Sequence, residues 1–298
     1  MKTFDYMILY FDPDPETYVV GTADVEPAVS IDHINRIQEG YKQLMEVLGV
    51  SALQRVSAAA GIKLYKTEAG ELAEQVGEGK EIALTEVTRK LVQTIPIALW
   101  KYRKQVTAEA IQASGYDKAV SDTDRALVNK VRKYIKSTLF STIAAGTGTA
   151  TGGANLQAAC ANAMAALQTK YEDEDVTPLF FLNTDDVYNF LGQASLSTQN
   201  AFGFSYLKAF LGMGDAIISS KVPHQTVYVT AKENLNCAIP DGGSDVASAM
   251  GMTTDESGVV LFKHYTADSC ASLETLLMTG ATFYAEDLSG VFKATIGE

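Results

Sequence analysis

The sequence predicts an α+β chain whose first and last parts share one sheet, and three observations carry this. Residues 87–106 (VTRKLVQTIPIALWKYRKQV) form a long strand-like run. A strong helical repeat starts at Ser121. Residues from 258 onward alternate like strands in need of a partner. The run at 87–106 is the obvious partner, which makes 151–258 an insertion. With 298 residues, 47% of them apolar, the chain can bury a sizeable core.

Residues 1–29 are broken by Pro13, Pro15 and Pro27 and dotted with Phe4, Tyr6, Tyr10, Phe11 and Tyr18. So many aromatics predict an arm lying on other protein rather than a free tail. A helix follows, capped by Ser30 or Asp32 and closed at Gly49, with Ile34, Ile37, Tyr41, Leu44, Met45 and Leu48 at helical spacing. Residues 61–88 read as an extended β-hairpin. Ile62 and Leu64 alternate, Gly70, Gly77 and Gly79 supply turns, and Ile82 and Leu84 alternate again. It carries few large apolar side chains, so it is either disordered or laid on a neighbour. In the run at 87–106, Pro96 marks an edge or a kink. Residues 107–113 form a short helical turn.

The strongest helix begins at the capping residues Ser121, Asp122 and Thr123. Leu127, Val131, Ile135 and Leu139 recur once per turn, and Arg125, Lys130, Arg132, Lys133 and Lys136 occupy the other faces. It runs to Gly146, about 24 residues or about 35 Å. The stretch GTGTATGG (146–153) reads as a flexible linker. It lacks the Lys-Ser/Thr pair of a phosphate-binding loop and follows a helix rather than a strand. A small-residue helix spans Asn155 to Lys170, and EDED (172–175) is a solvated turn. LFFL (179–182) is a buried strand, and Asn183 or Thr184 caps a helix over 185–191. Further strands are expected at 215–222, 226–231, 235–240, 258–268, 273–285 and in the terminal GVFKATI. In 258–268, Val259 and Leu261 share one face, and Phe262 and His264 the other.

The net charge is −12, unevenly spread. Residues 89–136 hold eleven basic and four acidic side chains, a local +7, leaving −19 elsewhere. Directly before them, residues 68–86 hold six glutamates and one lysine. Two copies of the chain can therefore pair acidic against basic; the plainer reading is two solvated faces. Cys160, Cys237 and Cys270 form no CxxC and read as buried, reduced thiols. His33, His224 and His264 are too far apart for ligand spacing, so no metal and no cofactor is expected. No GxSxG, HExxH, Walker lysine or GxGxxG at a strand–helix junction occurs. The pairs Asp185–Asp186 and Glu286–Asp287 read as capping material. No stretch has the length and apolarity of a membrane span or the pattern of a signal peptide, which predicts a protein made in the cytoplasm.

The order of these pieces resembles the major capsid proteins of tailed bacteriophages, whose fold is shared with encapsulins. GIKLYKTEAGELAEQVGEGKEIALTEVTRKLVQTIPIALWKYRKQVTAEAIQ looks like the family's extended loop running into its peripheral-domain strand. DTDRALVNKVRKYIKSTLF looks like its spine helix. LFFLNTDDVYNFLG resembles the strand–helix of its axial domain, and TLLMTGATFYAEDLSGVFKATI its closing strands. The resemblance covers the chain from about residue 30 and is specific as an ordered set. It implies an N-terminal arm and helix (1–60), an extended hairpin (61–88) and a peripheral domain with the spine helix (89–150). An axial domain (151–258) and returning peripheral strands (259–298) complete it.

The implied function is structural rather than enzymatic. Hexamers and pentamers of the chain would close an icosahedral head around double-stranded DNA, in a virion assembled in the host cytoplasm. Implied partners are further copies of itself, a portal, a separate scaffolding protein and packaged DNA held by nonspecific phosphate contacts. The hairpin would lie across an adjacent subunit, with Glu71, Glu74 and Glu78 facing Arg103, Lys104, Arg132 or Lys133. An encapsulin-type compartment shell is the nearest alternative. A soluble α/β enzyme or binding protein is the alternative from another class.

Overall fold

The computed structural model describes residues 48, 54–56, 61–70, 84–172, 174–191, 199–201, 204–240, 244–254 and 260–297. The expected arm over 1–29, the first helix apart from Leu48, and Glu71, Glu74 and Glu78 lie outside these residues. Leu48 itself is helical and fully buried.

The described chain opens with β1 (Gln54–Val56), β2 (Ile62–Ala69) and β3 (Val87–Ile95). β2 and β3 pair antiparallel from Ile62↔Ile95 to Ala69↔Val87, with a bulge at Leu64/Tyr65. The strand that returns along β2 is therefore 87–95; Leu84 belongs to no strand, and Ile82 lies outside the described residues. Pro96 is the reason. It has no N–H for a ladder, so the run read as one strand splits there. β3 stays with the hairpin, and β4 (Trp100–Thr107) enters a different sheet.

Thr107 caps α1 (Ala108–Ser114), its Oγ1 accepting from Ala110 N at 3.3 Å. The long helix, α2 (Asp122–Ala144), has 23 residues. The expected side-chain cap at Ser121 is absent. A π-helical turn over Asp117–Ser121 leads straight in, so backbone carbonyls rather than a side chain receive the first N–H groups. Val128, Val131, Ile135, Leu139 and Ile143 are all at most 3% exposed and form one continuous seam.

Next come β5 (Gly148–Thr149), α3 (Leu156–Lys170), β6 (Pro178–Leu182), α4 (Thr184–Leu191), β7 (Gln199–Ala201) and β8 (Phe204–Phe210). After these follow β9 (Gly214–Ile218), β10 (Thr226–Ala231), β11 (Leu235–Pro240), α5 (Ser244–Met250) and β12 (Thr253–Thr254). The chain closes with β13 (Leu261–Ala267), β14 (Ser272–Thr279), β15 (Thr282–Ala285) and β16 (Phe292–Thr295). Asn155, read as the first residue of the helix, instead caps α3 through Ala158 N at 2.8 Å, and Asn183, one of the two caps the sequence offers, accepts from Asp185 N at 2.8 Å.

Among the described residues, a seven-stranded sheet runs in the order β5-β16-β10-β6-β9-β8-β7. Its central strand alternates between two cores. Leu179 and Phe181 join the cluster around α2, while Phe180 and Leu182 join Leu156, Cys160, Ala163 and Leu167 of α3. A strand buried on both faces has no polar position, which is why LFFL is uniformly apolar.

The closing strands divide among three sheets. β13 and β14 join β4, as expected, in the order β12-β13-β14-β4. β15 pairs with β11 instead, and β16 pairs with β10 and β5. Strand alternation says that a segment needs partners but not which ones, so the single-partner expectation fails for these two. The glycine stretch 146–153 is not a free linker either. A Cβ on Gly148 would lie 2.7 Å from the carbonyl oxygens of Ser289 and Val291, so glycine lets β5 press against the closing strand. Phe262 and His264 do share a face, but Leu261 on the other face is equally buried, so this strand too is enclosed on both sides.

One polar cluster fixes α2 against the four-stranded sheet. Asp124, in the first turn of α2, has no exposed surface. Lys104 Nζ of β4 lies 2.6 Å from its Oδ1, and His264 Nε2 of β13 lies 2.9 Å from its Oδ2. Lys104 also donates to Val120 O at 2.9 Å and to Thr123 Oγ1. Burial pushes the Asp124 carboxyl up, but hydrogen bonds from His264 and Lys104, with the Lys104 charge, outweigh it and hold the group below the ordinary aspartate value. A depressed carboxyl contributes stability above its unfolded value, and this is lost as pH falls through the folded one.

Asp124→Asn leaves the Lys104 ammonium buried without its counter-charge and should cost about 3–5 kcal/mol in denaturant unfolding at pH 7. The gap to wild type should narrow below about pH 4, where the wild-type carboxyl also protonates. Gly148→Ala should lower the thermal midpoint, because the clashing atoms are backbone carbonyls that cannot swing aside.

Candidate functional site

The basic segment comes together where β4 runs beside α2. Between them lies a groove of about 620 Å³, lined by Trp100, Tyr102, Leu127, Val131 and Tyr134, with Lys101, Arg103 and Lys130 beside them. Trp100 and Tyr134 meet edge-to-face, with ring centroids 4.7 Å apart. The arrangement is an aromatic floor with a cationic rim, suited to an acidic partner that brings apolar side chains.

Of the cations singled out from the sequence, Arg103 is exposed and stands 3.5 Å from Glu274, itself buried. Lys133 is exposed on α2 and Arg132 is half-buried there. Lys104 requires a correction. Its ammonium is enclosed and engaged by Asp124, so it is not available to a neighbouring subunit. A lysine on an alternating strand next to other cations looks like a surface charge, and only the fold shows that it points toward α2. Glu71, Glu74 and Glu78 fall outside the described residues. The sequence reading also missed the groove itself, although Trp100, Tyr102 and Tyr134 amid a cationic segment were the available signal.

The ribbon of β2 and β3 has a polar face and an apolar one. Cross-strand partners share a face, so Tyr65 and Leu91, Thr67 and Arg89, and Ala69 and Val87 lie together. Tyr65, Val87 and Leu91 are exposed, at 45%, 61% and 52%. Arg89 lies over the Tyr65 ring at 4.3 Å. Ile62, Leu64 and Ile95, at the base, pack into a small cluster with Val56, Ile97, Ala238 and Tyr284. The ribbon is thus anchored at one end, with its apolar face open to solvent beyond.

The remaining candidates read as structural. Asp186 accepts from Gln225 N at 2.7 Å and from His224 Nδ1 at 2.7 Å, which ties the start of α4 to the turn before β10. Asp287 accepts from Ser289 N at 2.8 Å and pairs with Lys170 at 3.0 Å. Among the described residues no three His, Cys, Asp or Glu side chains converge to hold a metal ion, and no helix is long and apolar enough to cross a membrane. Cys160 and Cys237 are buried as expected, and burial pushes both thiols up to about 12. Cys270 departs from expectation. It is exposed in the turn between β13 and β14, where a hydrogen bond with Ser269 lowers its pKa.

No family model matches the sequence, and no curated protein does. Solved structures do match. The chain is similar to the capsid of a native GTA particle, at TM-score 0.53 and 11% identity over 84% of this chain and 89% of that one. It is similar to the capsid of cyanophage P-SCSP1u, at TM-score 0.52 and 9% identity over 82% and 86%. It is also similar to the SrpI encapsulin of Synechococcus elongatus PCC 7942, at TM-score 0.50 and 9% identity over 84% and 86%. This mixed α+β chain therefore has the capsid-type fold that phage capsids share with encapsulin shells.

Proposed function

We propose that this chain is a structural protein, the repeating subunit of a phage-type head, and not an enzyme. Its copies form hexamers and pentamers that close around double-stranded DNA. The observation that carries this reading is the β2–β3 ribbon. A two-stranded ribbon has too little core to be stable alone, and this one leaves Tyr65, Val87 and Leu91 in water. A second copy of the chain is the surface that would cover them. The shared fold with capsid and encapsulin shells supports the same assignment.

In the assembled head the acidic stretch 68–86 lies across the basic region of the adjacent subunit. Glu71, Glu74 and Glu78 face Arg103, Arg132 and Lys133, and Lys104 is excluded because Asp124 holds it. Residues 151–258 gather around the capsomer axes as an axial region. The hairpin extends to Ile95 rather than to residue 88, since β3 stays paired with β2. A portal and a separate scaffolding protein complete the assembly, and packaged DNA meets basic side chains without sequence preference. The mature location is the virion. An encapsulin-type shell is the second reading, favoured by the SrpI encapsulin among the structural neighbours.

Expressed alone, the chain should yield megadalton shells, tubes or capsomer rings by sedimentation and negative-stain microscopy. A uniform small oligomer that no scaffolding protein rescues would overturn the assignment. Nucleic acid inside the particles favours the head, and enclosed protein cargo favours the encapsulin. Reversing Glu71, Glu74 and Glu78 to lysine should abolish assembly while the circular dichroism of the subunit stays unchanged. Normal particles from the triple variant would sink the charge pairing between copies.

A further inference from the structure

The groove between β4 and α2 selects its occupant by chemistry. Trp100, Tyr102 and Tyr134 make an aromatic floor, and Lys101, Arg103 and Lys130 stand exposed at the rim. Lys101 and Lys130 hold no ion pair among the described residues. An open aromatic floor gains most from aromatic rings laid against it, and unpaired cations beside it gain from carboxylates.

One segment of the chain supplies both. Residues 4–18 (FDYMILYFDPDPETY) hold five aromatic and four acidic side chains and no basic one. The acidic stretch 68–86 is a poorer match to the floor, because it contains no aromatic residue. Pro13 and Pro15 bias the segment toward an extended backbone, so little entropy is lost when it is laid in an aromatic-lined groove. Its point of attachment is close as well. Leu48 belongs to the same buried cluster as Val128, Val131 and Ile135 of α2, and Val131 also lines the groove. Thirty positions separate Tyr18 from Leu48. Even wholly helical, they would span about 45 Å, more than the roughly 35 Å of α2. A tethered segment within reach meets its site at an effective concentration that separate copies do not match in dilute solution.

We propose that residues 4–18 lie in the β4–α2 groove of their own chain while the subunit is free. Rings of the segment pack on Trp100, Tyr102 and Tyr134, and Asp12, Asp14 and Glu16 meet Lys101 and Lys130. On the shell-subunit reading, on which this consequence rests, the docked arm is a brake on association. It covers Arg103 and the cations beside it, which the acidic stretch of an adjacent copy needs. The neighbour therefore binds only the fraction of subunits whose groove is open.

Trp100 is the only tryptophan of the chain, so its fluorescence reports on the groove directly. In dilute, dissociated full-length subunits, Tyr10→Ala with Phe11→Ala should shift the Trp100 emission to the red and raise its quenching by acrylamide. Asp12→Lys with Asp14→Lys should do the same, and so should Lys101→Glu with Lys130→Glu. The two charge reversals combined should restore the wild-type spectrum, which a merely local disturbance of the groove would not do. The wild-type spectrum should be independent of subunit concentration, and added salt should move it toward that of the variants. At assembly concentration the arm variants should form particles faster than wild type. Emission indifferent to both arm variants would overturn the docking. Protection of Trp100 that grows with subunit concentration would overturn it in favour of an arm supplied by another copy. Assembly of the arm variants at the wild-type rate would sink the brake. The expected fluorescence with no particles from any variant would remove the shell reading and the brake together while supporting the docking.

Discussion

The seam of Val128, Val131, Ile135, Leu139 and Ile143 removes one side of α2 from water along the helix, and the other elements take their places from it. Each such side chain contributes about 1.5–3 kcal/mol when fully buried. The cluster reaches Leu179 and Phe181 of β6, Ile217 of β9, Cys237 and Ile239 of β11, and Phe262 and Leu277 of β13 and β14. Strands from the expected insertion and from the expected returning segment thus share one core. The helix acts as a common floor under sheets of quite different connectivity.

A seam of aliphatic side chains leaves a helix some freedom to slide and roll. The buried contact of Asp124 with Lys104 and His264 removes that freedom at one end of α2. Ion pairs of this kind add little net stability over a well-packed apolar replacement, but they require specific partners at specific distances. The same contact turns Lys104 inward while Arg103, one residue earlier, faces out. It thereby sorts the basic segment into cations that hold the subunit together and cations that can meet another molecule.

Among the described residues, two margins stand open to a partner. One is the apolar face of the β2–β3 ribbon, anchored only at its base. The other is the outer edge of β4 with the aromatic groove beside it. Neither can be completed within the described chain, because the apolar face lies beyond the reach of the core and an edge strand needs a second strand. Open margins around a packed centre are what the proposed association of copies would cover.

The local patterns were legible in the sequence wherever one residue's neighbours along the chain decide its state. The period of α2, the cap at Asn183, the buried LFFL and the irregularity at Pro96 all depend on spacing or on backbone chemistry within a few residues. The ordered resemblance carried the fold class for the same reason, since it is a string of such local patterns. Tertiary structure alone decided which strands pair, because alternation is identical whether β15 joins β4 or β11. It decided that Gly148 is pressed against a distant carbonyl pair rather than loose in a linker. It also decided that Asp124, Lys104 and His264 meet, since residues 20 and 140 positions apart along the chain become neighbours only after the sheet has closed over α2.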